Sequence, residues 1–208
     1  MRVRIAFVIL LVALGCAVVL AADFTWNWHD QRAIGRDDTS VSTTSQLTEP
    51  ERAALIDSIV ARLQKPMTKA GYDAARIREI ASITRIRFAD LGGDGKPLLL
   101  ATSPGLEGGC DAMSNCPFWI FRHDGSGYSL LLDTVAATYT IQPTSTNGFS
   151  DLVMLSHISA RESHLTLYRY RDGKYADAGC YTAIWSPPQN GEIQEPNITG
   201  CEAGKAEK

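Results

Sequence analysis

Two kinds of hydrophobic spacing divide this chain. Between Leu47 and Gln64 the apolar positions Leu55, Ile56, Ile59, Val60 and Leu63 recur at helical intervals and line up on one face. Thr48 with Glu51 beyond it predicts a capping box. Pro50 suits a first turn, where its missing N–H costs nothing, and Lys65-Pro66 predicts the helix end. A second short helix is expected over Ala74–Ile80.

From Ile83 onward the period changes. Short runs rich in β-branched and aromatic residues predict strands near Ile83–Ala89, Leu98–Thr102, Phe118–His123, Tyr128–Asp133, Thr138–Gln142, Asp151–Ser156, His164–Tyr170 and Tyr175–Thr182. Between them stand D-G, D-G-S-G, N-G and D-G, residues that tolerate positive φ in tight hairpins. The expected fold is mainly β within the α+β class. It is an antiparallel meander of about eight strands, forming a curved sheet or a two-layer sandwich, with one N-terminal amphipathic helix packed on it.

The strand region repeats itself. D-G-K-P-L-L-L from Asp94 lines up with N-G-F-S-D-L-V from Asn147, and F-R-H-D-G-S-G-Y from Phe121 with Y-R-Y-R-D-G-K-Y from Tyr168, at a period of about 50 residues. Two such units are too few to close a propeller. The copies differ most in one loop. Ser103–Pro117 is longer than Ser156–Ser163, and only it carries cysteines.

The flanks are polar or apolar without such periods. Arg2 and Arg4, an apolar run from Ile5 to Leu20, and small residues at Ala21-Ala22 make residues 1–22 a secretory signal. An uncleaved anchor is the alternative for the same 18 apolar residues from Ile5 to Ala22, and lipid attachment at Cys16 a third. All three put the remainder outside the cytoplasm, in the periplasm or cell exterior. Residues 23–46 read as a flexible linker with two unexplained tryptophans, Trp26 and Trp28; residues 47–185 as a single domain; residues 186–208 as a C-terminal tail.

Charge narrows the partners. The 208 residues carry a net charge of -3 and no Lys/Arg-rich run after the signal, which disfavours nucleic acid and any membrane contact beyond an N-terminal anchor. Apart from Cys16 there are four cysteines, Cys110, Cys116, Cys180 and Cys201, an even count that reads as two disulfides in an exported chain. The favoured pairing is Cys110–Cys116 and Cys180–Cys201. Neither spacing matches a zinc ribbon.

Asp90-Leu-Gly-Gly-Asp94-Gly95, set between two predicted strands, resembles the D-x-N-x-D-G loop of FG-GAP and VCBS-type repeats in exported bacterial proteins, over Arg85–Thr102. That resemblance implies calcium ligation by Asp90 and Asp94. Gly92 replaces the middle ligand, and Ala101 stands where an acidic residue would close the shell. The expected cofactor is therefore none, with weak calcium as the exception.

Catalytic signatures are missing. No G-x-S-x-G elbow, no H-E-x-x-H and no phosphate-binding glycine loop opens a helix in this chain. The densest polar cluster is His157, Glu162 and His164, an acid/base or hydrolase group if the three side chains converge. The leading expectation is instead a non-enzymatic module that binds a protein or glycan. Its contacts would come from the stapled loop through Cys110, Asp111 and Asn115, and from Trp119 on the neighbouring strand. A calcium-stabilised structural module is the remaining alternative.

Overall fold

The computed structural model describes residues 26–201 apart from 34, 36, 37, 94 and 126. Residues 1–22, expected above to be a secretory signal, and with them Cys16, therefore lie outside the described residues. So does the end of the tail.

Two helices precede the main sheets: α1 (Glu49–Lys69) and α2 (Ala74–Ile83). The strands are β1 (Arg32–Ala33), β2 (Thr39–Ser40), β3 (Arg85–Ala89), β4 (Leu98–Thr102), β5 (Cys116–His123), β6 (Tyr128–Ala136), β7 (Thr138–Thr146), β8 (Phe149–His157), β9 (Glu162–Arg171), β10 (Lys174–Ile184) and β11 (Asn197–Gly200). They form two antiparallel sheets, ordered β2-β3-β4-β5-β6 and β1-β7-β8-β9-β10-β11. The two-layer sandwich is thus the form the meander takes. Each copy of the repeat supplies a three-strand run, β4-β5-β6 to one sheet and β8-β9-β10 to the other.

Strand alternation explains why both faces of the first sheet are apolar. In β4, Leu99 and Ala101 pack toward α1 and α2, while Leu98 and Leu100 join the core between the sheets. In β5, Trp119 and Phe121 go to the helices, and Phe118 and Ile120 go between the sheets. A third cluster covers the far face of the second sheet, where Val153, Leu155, Leu165 and Leu167 meet Trp26. Each large apolar side chain so buried contributes about 1.5–3 kcal/mol.

Three expectations need correction. Trp119 is only 2% exposed, because α1 and α2 cover the face of β5 that was expected to offer an aromatic patch. Among its described residues, the segment read as a flexible linker is packed, with Trp26, Val41 and Thr44 buried and β1 and β2 paired to β7 and β3. Helix α1 runs through Pro66 to Lys69. The added turn places Met67 in the helix–sheet core, and Ala70 N–H donates to the Pro66 carbonyl, so burial outweighs the lost proline donor.

The sandwich has two unlike ends. One gathers the connections between β3 and β4, β5 and β6, β7 and β8, and β9 and β10; this is the hairpin end. The other gathers the 103–115 loop, the β6–β7 link, the β8–β9 connection and the end of β10; this is the loop end. On β10, next to the short edge strand β11, the register with β9 shifts between Asp177 and Gly179, a bulge in which Asp177 Oδ1 accepts the Gly179 amide at 3.0 Å. Strand β11 covers only Tyr181–Ile184 of β10.

Candidate functional site

The disulfides join Cys110 to Cys116 and Cys180 to Cys201. The first closes the loop at the loop end, and inside it Asp111 and Asn115 are tied to the protein's own backbone. Asp111 Oδ1 accepts the amides of Met113 and Asn115, both at 2.9 Å, and Asp111 Oδ2 accepts Asn115 Nδ2 at 2.8 Å. Asn115 Nδ2 also donates to the His157 carbonyl at 2.8 Å, and Asn115 Oδ1 accepts the His157 amide at 2.7 Å. Asn115 is 5% exposed and bridges the two sheets with both ends of its amide. Its side-chain donor, then its backbone amide, hold the Asp111 carboxyl below the ordinary value; the Met113 amide and the His157 charge add to this against a smaller desolvation effect. The loop is preorganised by the polar residues that had been expected to touch a partner.

What the loop end presents outward is aliphatic. Leu106 is 72% exposed, and Met113, Val135, Ile158 and Ile184 are also exposed. Val135 pairs with Pro117 at the root of the loop, Ile158 follows the residue that Asn115 holds, and Ile184 pairs with Glu162. Five of the seven exposed large hydrophobic residues among those described therefore belong to this one end. Acidic and basic groups border them: Glu107, ion-paired to Arg76 of α2, and the exposed Asp111 and Arg161. Two of these apolar residues were legible as oddities, Leu106 and Met113 in a Gly-rich loop. Ile158, alone in a polar hairpin, gave the same signal.

His157, Glu162 and His164 do not converge. His157 pairs across the ladder with Ser163, which points to the opposite face of β9 from its neighbours Glu162 and His164. His157 Nδ1 lies 3.3 Å from Ser163 Oγ, and that hydroxyl accepts Trp185 Nε1 at 3.0 Å on the outer face. His164 Nε2 lies instead 3.3 Å from Cys180 Sγ. The hydrolase grouping is absent.

At the hairpin end Asp90 Oδ1 accepts the Gly92 amide at 2.9 Å, an Asx turn that needs no ion; Asp94 lies outside the described residues. A cleft of about 550 Å³ sits nearby, lined by Glu51, Lys96, Arg122, His123 and Tyr128 among others. Glu51 and Arg122 in it serve the fold. Glu51 Oε2 accepts the hydroxyl and amide of Thr48 at 2.7 Å each, which lowers its pKa, and its other oxygen is 3.9 Å from His123 Nε2. Arg122 lies over the rings of Phe149 and Tyr170 and donates to the Tyr170 hydroxyl at 3.0 Å.

No helix among the described residues is long and apolar enough to cross a membrane. Comparison with protein-family models, curated proteins and solved structures finds no match.

Proposed function

We propose that this chain is an exported binding module that engages a protein partner through the loop end, without catalysing a reaction. The observation that carries this reading is the concentration of exposed aliphatic side chains on a loop that a disulfide, Asp111 and Asn115 hold in one conformation. A preorganised apolar centre with a charged rim loses little entropy on docking and excludes water when covered. Export is supported by the sequence of residues 1–22 together with the two disulfides, which persist in oxidising compartments.

A protein suits this end better than a glycan. Sugar recognition uses exposed aromatic faces, whereas Phe118, Trp119 and Phe121 are core and the exposed set is Leu106, Met113, Val135, Ile158 and Ile184.

Site-specific photocrosslinking in producing cells tests the reading. A photoreactive residue at position 106, 113 or 158 is expected to give a discrete adduct that Met113→Asp or Ile158→Asp abolishes while the melting temperature stays unchanged. The same probe at Lys174, on the hairpin end, is expected to give none. Adducts of equal yield from both ends, or none from the loop end, would sink the proposal.

A further inference from the structure

On the face of the second sheet that carries Glu162 and His164, three soft donor atoms meet. His164 Nε2, Cys180 Sγ and Cys201 Sγ all lie within 4.8 Å of one another, each on a half-buried residue. They come from three adjacent strands: β9 supplies the imidazole, β10 one sulfur, and the other lies immediately after β11. We propose that reduction of the Cys180–Cys201 disulfide turns this corner into a binding site for zinc, with two thiolates and one imidazole as ligands.

The spacing fits the ion. With Zn–S near 2.3 Å and Zn–N near 2.0–2.1 Å, a tetrahedral site holds a sulfur and a nitrogen about 3.6 Å apart and two sulfurs about 3.8 Å apart. The His164 Nε2–Cys180 Sγ distance is already 3.3 Å. The Cα atoms of the cysteines stand 5.3 Å apart, so side-chain rotation suffices to part the sulfurs once their bond is broken. The strands do not depend on that bond for their register. Cys201 N–H donates to the Cys180 carbonyl at 3.0 Å, and Tyr181–Ile184 pair with Asn197–Gly200. A preformed backbone clamp thus keeps both thiols beside His164.

The chemistry balances with a dithiol as reductant. Two electrons and two protons pass from the dithiol to the Cys180–Cys201 bond, giving two thiols and the oxidised, cyclic disulfide of the reductant. Zinc entry displaces the two thiol protons to solvent, and neutral His164 gives its Nε2 lone pair with the ring proton on Nδ1. Water fills the fourth position, as in zinc sites with three protein ligands. Soft thiolate donors favour zinc over magnesium or calcium. The other disulfide offers no such site, because the three-donor group found among the described residues includes neither Cys110 nor Cys116.

Cobalt(II) alone, titrated without oxygen into the full chain after dithiol treatment and desalting, tests this. Reduced protein is expected to bind one equivalent with thiolate charge-transfer absorption and tetrahedral d–d bands, and added zinc to bleach both. Oxidised protein should show neither, and His164→Ala should bind at least about tenfold more weakly, since a directly coordinating ligand matters no less than the outer-shell partners worth 10–100-fold. A Cys110→Ser/Cys116→Ser variant should titrate like the parent. The proposal fails if reduced protein gives no such bands, or if His164→Ala matches the parent. It also fails if the bands survive in Cys180→Ser/Cys201→Ser, or if circular dichroism shows that reduction unfolds the sheet.

Discussion

The amide of Gly93 donates to the carbonyl of Gly148 at 2.8 Å, joining the corresponding turns of the two repeat copies. Gly92 bridges to Phe149 beside it, and the Ser150 amide donates to the Leu91 carbonyl at 2.7 Å. The two sheets are therefore sewn together by backbone at the hairpin end, where glycine is required for close approach. A Cβ on Gly93 would meet Phe149 Cζ at 2.2 Å, with φ at +88°.

Gly93→Ala is accordingly expected to cost about 2–4 kcal/mol, from left-handed strain plus overpacking against Phe149. Gly173→Ala is the control. It shares a positive φ, +83°, but has no neighbour within 4 Å of its added Cβ, so only the strain remains, about 1–2 kcal/mol. Urea midpoints of the two variants check the difference. Equal losses would remove the packing argument.

Pro66→Ala is expected to stabilise the protein. Pro66 is exposed inside α1 and lacks the donor its turn needs, and a proline ring inside a helix crowds the carbonyl four residues earlier. Restoring the N–H should raise unfolding free energy by about 1–3 kcal/mol, the helix-interior penalty less the proline's effect on the unfolded chain. Thermal and urea denaturation of the variant measure it, and a neutral or lower midpoint would mean the helix has adapted to its proline.

Asn115→Ala should loosen the loop end. The substitution strips partners from the His157 amide and carbonyl and from Asp111, a loss of about 2–3 kcal/mol for groups at a buried junction. Hydrogen exchange should speed most at the His157 amide and inside residues 110–116. Uniform acceleration across both sheets would argue for a global effect instead.

Acid should weaken the same loop. The Asp111 carboxyl is held below its ordinary value of 3.8 in the fold, so its contribution is complete above that value and disappears as pH falls through the lower folded one. Asp111→Asn should therefore flatten the decline in melting temperature below about pH 4. A parallel decline in both proteins would contradict this.

The alkaline side has its own marker. Burial, helped by the negative charge of Glu51, pushes the Tyr128 hydroxyl up to about 12. The neutral form is the one the fold favours, so the stability it contributes is whole below the ordinary value near 10 and fades as pH rises toward 12. Tyr128→Phe should hold its melting temperature further into that window. A change of absorbance at 295 nm centred near pH 10 for Tyr128 would refute the assignment.

Most of the fold could be read from period and turn chemistry. All eight predicted strands exist because alternation and D-G turns are local signals, and the duplicated pattern anticipated the matching three-strand runs in the two sheets. Strands β1, β2 and β11 were missed, since two to four residues carry no period and gain their order from the long strands they flank. Trp26 and Trp119 show the same limit, as whether an aromatic face is covered depends on elements far away in the chain. At the candidate site, the favoured one of three possible cysteine pairings is the one the structure has. The burial of Asn115 depends on His157, 42 residues beyond it, a relation invisible to local reading.

The bulge at Asp177–Gly179 bears on how the larger sheet ends. Between Lys174 and Gly179 the last long strand of the larger sheet has no paired strand on its free side among the described residues, a stretch of amides and carbonyls open to continuation by a neighbouring chain. The bulge breaks its flat run, Asp177 consumes the Gly179 amide, and the exposed Lys174 and Asp177 set charge along the border. Smoothing that border, by deleting Ala178 or replacing both charges with valine, would turn a guarded margin into a template for fibre growth.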